Sequence, residues 1–389
     1  MDKTRTKLVK ILTLGFLVLF PFGQLLRSEV TLFAASVTIH PIDIIVGLTF
    51  LTLISGRFNK PHWYKSMIAL LVVIIFSFVF STTIFGLAPL TRGAFYLLRL
   101  TAYLYFFVAL FNVTKGRQAK NTLYNSLIAV SVVVGLFGWI QYRQFPDLRS
   151  LFYIGWDDHL FRLIGTYLDP GFTSIIVSFG FLLSLVRFIE EKKVKFLIFC
   201  LFFLVTVAFT YARAAYIALL VGVFVVSKIR KSYTPVFLTS LGLLALVLFL
   251  PRPEGYGVKL ERTHSIYAKL ENYGQTLNII KKAPLFGVGF NNFCVARLEF
   301  LGDNETRSHA CNGSDSSFLH LFATTGVLGV LAAFKFLKEV AMGVRKDAYY
   351  LAFIGSFVLL FVHSIFVNSF FYPWVMGYMA ILVSIKESS

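Results

Sequence analysis

Residues 194–228 read VKFLIFCLFFLVTVAFTYARAAYIALLVGVFVVSK, one apolar run interrupted by a single arginine. Lysines bracket it: Lys192, Lys193 and Lys195 before, Lys228 and Lys231 after. Lysine-rich flanks mark the cytoplasmic side of a membrane, so a chain with both ends on that side must cross and return. Two crossings of a ~30 Å hydrocarbon core need about 40 helical residues. The run supplies 35. The turn near Tyr211–Ala215 must therefore lie below the outer surface and take Arg213 with it. A cation held at that depth normally faces the protein interior, with snorkelling to the headgroups as the alternative.

The rest of the sequence repeats this grammar. The chain has 389 residues, of which 57% are hydrophobic and 17% aromatic, with a mean hydropathy of +0.75. No soluble core of this size absorbs so much apolar surface, whereas apolar runs of ~17 or more residues read as membrane helices. The expected spans are 8–26, 38–55, 66–86, 94–112, 123–142, 170–188, 195–211, 214–227, 234–250, 316–334, 349–367 and 371–385. The first follows a basic start but has Pro21 and Gln24 where a signal peptide would be cleaved, so a retained helix is expected. The fold class is an all-α polytopic bundle of about twelve spans, divided as residues 1–250, an outer loop 251–315, and residues 316–389.

Cations set the orientation. Alternate gaps carry lysine-rich clusters, such as Lys3, Arg5, Lys7 and Lys10, then Lys115, Arg117 and Lys120, then Lys335, Lys338, Arg345 and Lys346. Both termini are thereby expected in the cytoplasm and the long loop outside. The net charge of +18 is mostly this bias and gives no reason to expect a nucleic-acid partner. Apart from the long loop, the outer side carries only arginines: Arg27, Arg92, Arg99, Arg143, Arg149, Arg162 and Arg213. Arginine in place of lysine suits phosphate or carboxylate, because its planar fork presents paired donors; contact with lipid headgroups is the plainer account.

Other polar groups gather at the same boundary. Asp43, Asp169 and Asp315 each open an expected span, and His320 and His363 lie near outer ends. Asp169-Pro170 is also an ordinary helix start. The stretch SHACNGSDSSFLHLFATTGVLG, 308–329, passes from a polar cluster to an apolar helix within a few residues. In the long loop, helical spacing from Ile266 to Ile280 predicts an amphipathic helix over the membrane or a site, broken at Pro284, Gly287 and Gly289. Arg262 precedes it. Cys294 and Cys311 could pair there if the loop faces an oxidising compartment, and Cys200 is expected to be inert packing. No HxxH or CxxC spacing, Walker A motif or dinucleotide fingerprint occurs, so no metal or cofactor is expected.

The order of APLFGVGFNNF and SDSSFLHLFATTGVLG, with RLIGTYLDPGF before the sixth span and YARAAYIALLVG at the sunken turn, resembles the O-antigen ligase and O-antigen polymerase superfamily. The resemblance covers most of the chain. It implies a metal-independent C-type membrane glycosyltransferase that takes a glycan from an undecaprenyl-pyrophosphate carrier on the outer face. The acceptor is a hydroxyl of lipid A-core, of another glycan or of a protein, and the site is in the inner membrane of a bacterium, in contact with membrane lipid. Arg213, Arg162 and Arg99 would then meet the pyrophosphate, with Arg262, Tyr211, Ser316 and His320 also binding substrate. Ligases of this family commonly open the motif before the tenth span with a histidine. Asp315 stands at the matching position here, which leaves Asp315 or His309 as the general base. A transporter of lipid-linked glycans is the rival reading, but neither the paired repeats nor the broken helices of that class are apparent in the sequence.

Overall fold

In the computed structural model the described residues are 1–32, 35–54, 56–253, 255–302, 311, 313–342 and 347–387. Fourteen α-helices are found among them: α1 Lys3–Leu19, α2 Pro41–Ile54, α3 Tyr64–Phe85, α4 Thr91–Val113, α5 Gly116–Gln144, α6 Pro170–Glu191, α7 Val194–Phe209, α8 Arg213–Arg230, α9 Thr234–Phe249, α10 His264–Lys282, α11 Phe293–Leu301, α12 Ser317–Ala341, α13 Ala348–Phe366 and α14 Pro373–Glu387.

Seven are long and apolar enough to cross a membrane: α1 with its extension to Leu26, then α3, α4, α5, α6, α12 and α13. The chain is an all-α multi-pass membrane protein. Three other apolar helices, α2, α7 and α9, are shorter. The expected turn between α7 and α8 is present. Helix α7 stops at Phe209, α8 starts at Arg213, and Tyr211 between them takes a left-handed φ of 52° while fully buried.

Helices α6 and α14 form the centre. Every residue of α6 from Thr173 to Val186 is buried, as is every residue of α14 from Pro373 to Ile385. A helix apolar and buried all round belongs inside a bundle, wrapped by the others. Outer-facing residues such as Leu14 on α1, Leu51 on α2, Val79 on α3 and Leu238 on α9 stay exposed, as lipid-facing positions should.

Two features depart from the expectation. A small antiparallel hairpin, β1 Ser28–Leu32 and β2 Ala35–Ile39, joins α1 to α2. Its alternating β-branched residues Val30, Val37 and Ile39 suit a strand, so α2 begins at Pro41 rather than at residue 38. The second departure is a break in α12. Gly326 has φ 66° and ψ −170°, far from helical values. The turn after α10 fills the gap: Val327 N–H donates to Pro284 O at 2.9 Å, and Val288 N–H donates to Ala323 O at 2.9 Å. A Cβ on Gly326 would strike the Leu285 backbone, and one on Gly287 would strike the Thr324–Thr325 backbone. Irregular backbone at such depth survives only where protein satisfies its polar groups. No helix break was expected, because Pro284 and Gly326, which meet at it, are distant in sequence.

Candidate functional site

The α7–α8 turn gathers three guanidinium groups. Arg213, the first residue of α8, donates from Nη1 to Leu260 O and Arg262 O, both at 3.0 Å, and from Nη2 to Ser265 Oγ at 2.9 Å. Arg262 returns from the loop and donates from Nη2 to Tyr211 O at 3.2 Å. Arg162 reaches the same turn from the connection before α6, donating from Nε to Thr210 O at 3.1 Å and from Nη2 to Tyr211 O at 3.5 Å. Each lands on neutral oxygen. None of the three makes an ion pair within 4 Å among the described residues.

Like charges this close repel. Burial and then the Arg262 charge lower the Arg162 guanidinium from its ordinary value to about 10. Burial and then Arg213 lower Arg262 in the same direction. Both remain cations at neutral pH. Asp169 and Asp157 act on Arg162, and Glu261 on Arg262, without pairing within 4 Å, so three partly buried cations with no direct carboxylate partner among the described residues form a site that an anion would stabilise.

Helix α10 carries the polarity onward. Ser265, Lys269 and Asn272 follow one another at four- and three-residue spacing and so share a face. Ser265 meets Arg213. Lys269 Nζ lies 3.4 Å from Asp315 Oδ2 and donates to Phe366 O at 2.7 Å. Asn272 Oδ1 accepts from Asp315 N–H at 2.9 Å and from Ser314 Oγ at 3.2 Å. At 1.5 Å rise per residue, the arginine cluster and the Asp315 group are separated by about 6–10 Å along α10. The Asp315 side chain is 36% exposed, so it is open to a partner in solution.

Behind Asp315 lies a buried polar floor. Ser316 Oγ contacts Ser364 O at 3.4 Å, and His363 Nδ1 pairs with Ser369 Oγ at 2.7 Å. His320 packs its ring against Phe290, Phe293 and Phe371. Its Nδ1, together with His363 Nε2 and Ser364 Oγ, has no hydrogen-bond partner among the described residues.

The structure thus brings Arg162, Arg213, Arg262 and Tyr211 to one turn, and Asp315, Ser316 and His320 to a neighbouring group. Tyr211 contributes its carbonyl, while its hydroxyl donates to Pro251 O. Arg99 is elsewhere. It pairs with Asp43 at 3.0 Å, donates to Thr38 O and lies 4.7 Å from the Tyr96 ring centroid. Its charge is met by a carboxylate, so the expected grouping of Arg99 with the other arginines is not what the fold produces. His309 lies outside the described residues. Lys269, Ser265 and Asn272 were not singled out by sequence reasoning, although their spacing on a predicted helix was a usable signal.

Cys294 and Cys311 form a disulfide with Cα atoms 4.3 Å apart, tying α11 to the chain just ahead of Asp315. Cys200 is free and buried in α7.

Residues 198–334 match the family model described as O-antigen ligase. The match spans about a third of the chain, which is similar to that family over this segment. The matched segment runs from α7 into α12 and contains Arg213, Arg262, Lys269, Asp315 and His320. No curated protein matches the chain.

Proposed function

We propose that this chain transfers a glycan from an undecaprenyl-pyrophosphate carrier to a hydroxyl acceptor on the extracytoplasmic face. One observation carries the reading: Arg162, Arg213 and Arg262 converge, with no carboxylate within 4 Å among the described residues, beside a helix face that leads to Asp315. The donor pyrophosphate sits on the arginines. As the bond from the anomeric carbon to the phosphate oxygen breaks, negative charge grows on the leaving pyrophosphate and fixed guanidinium donors stabilise it. The acceptor oxygen bonds to the anomeric carbon, and its proton passes to the Asp315 carboxylate. Lys269 holds that carboxylate on the α10 face. Protein cations meet the charge, so the scheme assigns no step to a metal.

The disulfide supports the placement outside, since such bonds persist in oxidising compartments. Lysine-rich gaps support cytoplasmic termini; beside the seven helices long enough to span, a twelve-crossing topology would draw its other crossings from the shorter helices α2, α7, α8, α9 and α14. Where acceptor chemistry is concerned, lipid A-core, a growing glycan and a protein hydroxyl are equally served.

Transport is the reading from another class, and the break in α12 is a feature transporters use. Here the 284–288 turn takes up two of the freed backbone groups, Val327 N–H and Ala323 O, so the break is used for packing within the protein. The deciding experiment incubates purified protein, Arg213→Ala and Asp315→Asn with an undecaprenyl-pyrophosphate-linked oligosaccharide, first alone and then with lipid A-core. A ladder of longer glycans, lost in both variants, supports a polymerase; transfer only when lipid A-core is supplied supports a ligase. Donor crossing liposomes with no product under any condition would overturn the enzyme reading.

A further inference from the structure

The connection between α5 and α6 builds a cavity that the transfer scheme does not use. Asp147 pairs with Leu160 as an isolated antiparallel bridge. Leu148 N–H donates to His159 O and Phe161 N–H donates to Pro146 O, both at 2.8 Å. The two legs are therefore pinned, and residues 149–154 form a short 3-10 turn capped by Gly155 in the left-handed region. Leu151 is buried under it, while Phe152 and Tyr153 are 69% and 88% exposed. A cavity of about 720 Å³ opens here, lined by Asp147, Arg149, Ser150, Phe152, Tyr153 and Asp158.

Its walls have a definite chemistry. Arg149 grips Asp147 with two bonds, Nε to Oδ1 at 2.9 Å and Nη2 to Oδ2 at 2.6 Å. Those bonds hold the Asp147 carboxyl down at about 2, so it is always an acceptor. Asp158 adds a second carboxylate whose field reaches Arg149. Asp147 and Asp158 outnumber the single Arg149 guanidinium, which leaves the lining net negative and disfavours phosphate. Planar rings beside charged acceptors suit a pyranose: its C–H face packs on an aromatic ring while adjacent hydroxyls donate to a carboxylate. The volume lies in the range of small-molecule sites.

The cavity is also in the right place. Asp147 faces Leu160 across the bridge, and Arg162 follows two residues later. With paired Cα atoms about 5 Å apart and ~3.3 Å per extended residue, cavity and arginine cluster are separated by on the order of 10 Å. A short oligosaccharide spans that distance.

We infer that the 147–158 cavity is a saccharide subsite, holding sugar rings beyond the one that reacts. The inference rests on the proposed transfer at the arginine cluster. Donor glycan and acceptor glycan share the required chemistry, and the test separates them.

Full-length protein in nanodiscs is titrated with three probes: the oligosaccharide released by mild acid from the host's own undecaprenyl-pyrophosphate pool, lipid A-core oligosaccharide, and undecaprenyl pyrophosphate without sugar. Tyr153→Ala and Asp158→Asn change exposed positions and leave the fold intact, as thermal unfolding will check. Each should weaken one of the two oligosaccharides by about tenfold, which names the source, and leave the sugar-free carrier unchanged. Neither oligosaccharide binding, or binding equally well in both variants, would overturn the subsite. So would an equal loss of the sugar-free carrier in Tyr153→Ala, which would make the aromatic pair a membrane contact. Arg213→Ala tests the parent reading separately, since it should lose the sugar-free carrier.

Discussion

Arg99 and Arg213 look alike in the sequence: each is an arginine set into an apolar helix on the outer side. Their surroundings differ in one respect. Arg99 faces Asp43, and that carboxylate also accepts from Tyr103 Oη at 3.1 Å and pairs with His40 Nδ1 at 3.0 Å. His40 continues to Gln24, and Gln24 to Tyr372. The network is closed and its charge is balanced. Arg213 instead spends its donors on two carbonyls and a hydroxyl, next to two more arginines. A balanced buried pair holds helices in register; the arginine cluster has no directly paired carboxylate among the described residues and leaves room for an anion.

That contrast can be broken experimentally. The largest effect is expected at the balanced pair, where Asp43→Ala strands Arg99 and should cost about 3–5 kcal/mol of stability. Thermal unfolding in detergent would show it, and an unchanged Tm would mean the pair is dispensable. At the unbalanced cluster, Arg213→Ala should slow transfer by ~10²–10³-fold, the loss typical of a removed charge-stabilising donor. Arg213→Lys should recover little, because a point charge cannot reproduce three directed bonds. Comparable transfer by Arg213→Ala would make the cluster structural.

Smaller effects sharpen the boundary between the two regions. Breaking Cys294–Cys311 with serine should lower stability by ~3 kcal/mol on the chain-entropy account and weaken transfer, since the bond fixes the approach to Asp315. If reduction leaves both unfolding and transfer untouched, the link has no part in holding that approach. Lys269→Met should change stability by less than about 1 kcal/mol, as its ion pair is half-exposed. Its effect should fall on turnover rather than on donor affinity, and kinetics with varied donor would reveal a contrary pattern.

Much of this was legible before any coordinates. The 194–228 run was too short for two full crossings, and arithmetic alone placed a turn near Tyr211–Ala215, where α7 ends and α8 begins with Arg213. Helical spacing between Ile266 and Ile280 gave α10, and the breakers after it marked where α10 ends. Three things were hidden. Asp43 neutralising Arg99 joins residues far apart in sequence, and no local pattern announces it. The gap at Gly326 is filled by a turn from another part of the chain, so its glycine read as ordinary helix. The 28–39 hairpin was lost because most of it fell in the gap between the first two expected spans, and only its last residues, 38 and 39, were read as the start of the second.

The most direct test of the central claim is the affinity of the purified protein for undecaprenyl pyrophosphate carrying no sugar, compared with undecaprenol. The unbalanced cluster predicts tight, salt-sensitive binding of the pyrophosphate, weak binding of the alcohol, and loss of the difference in Arg213→Ala. Equal affinity for the two lipids, or a preference that survives in Arg213→Ala, would contradict it.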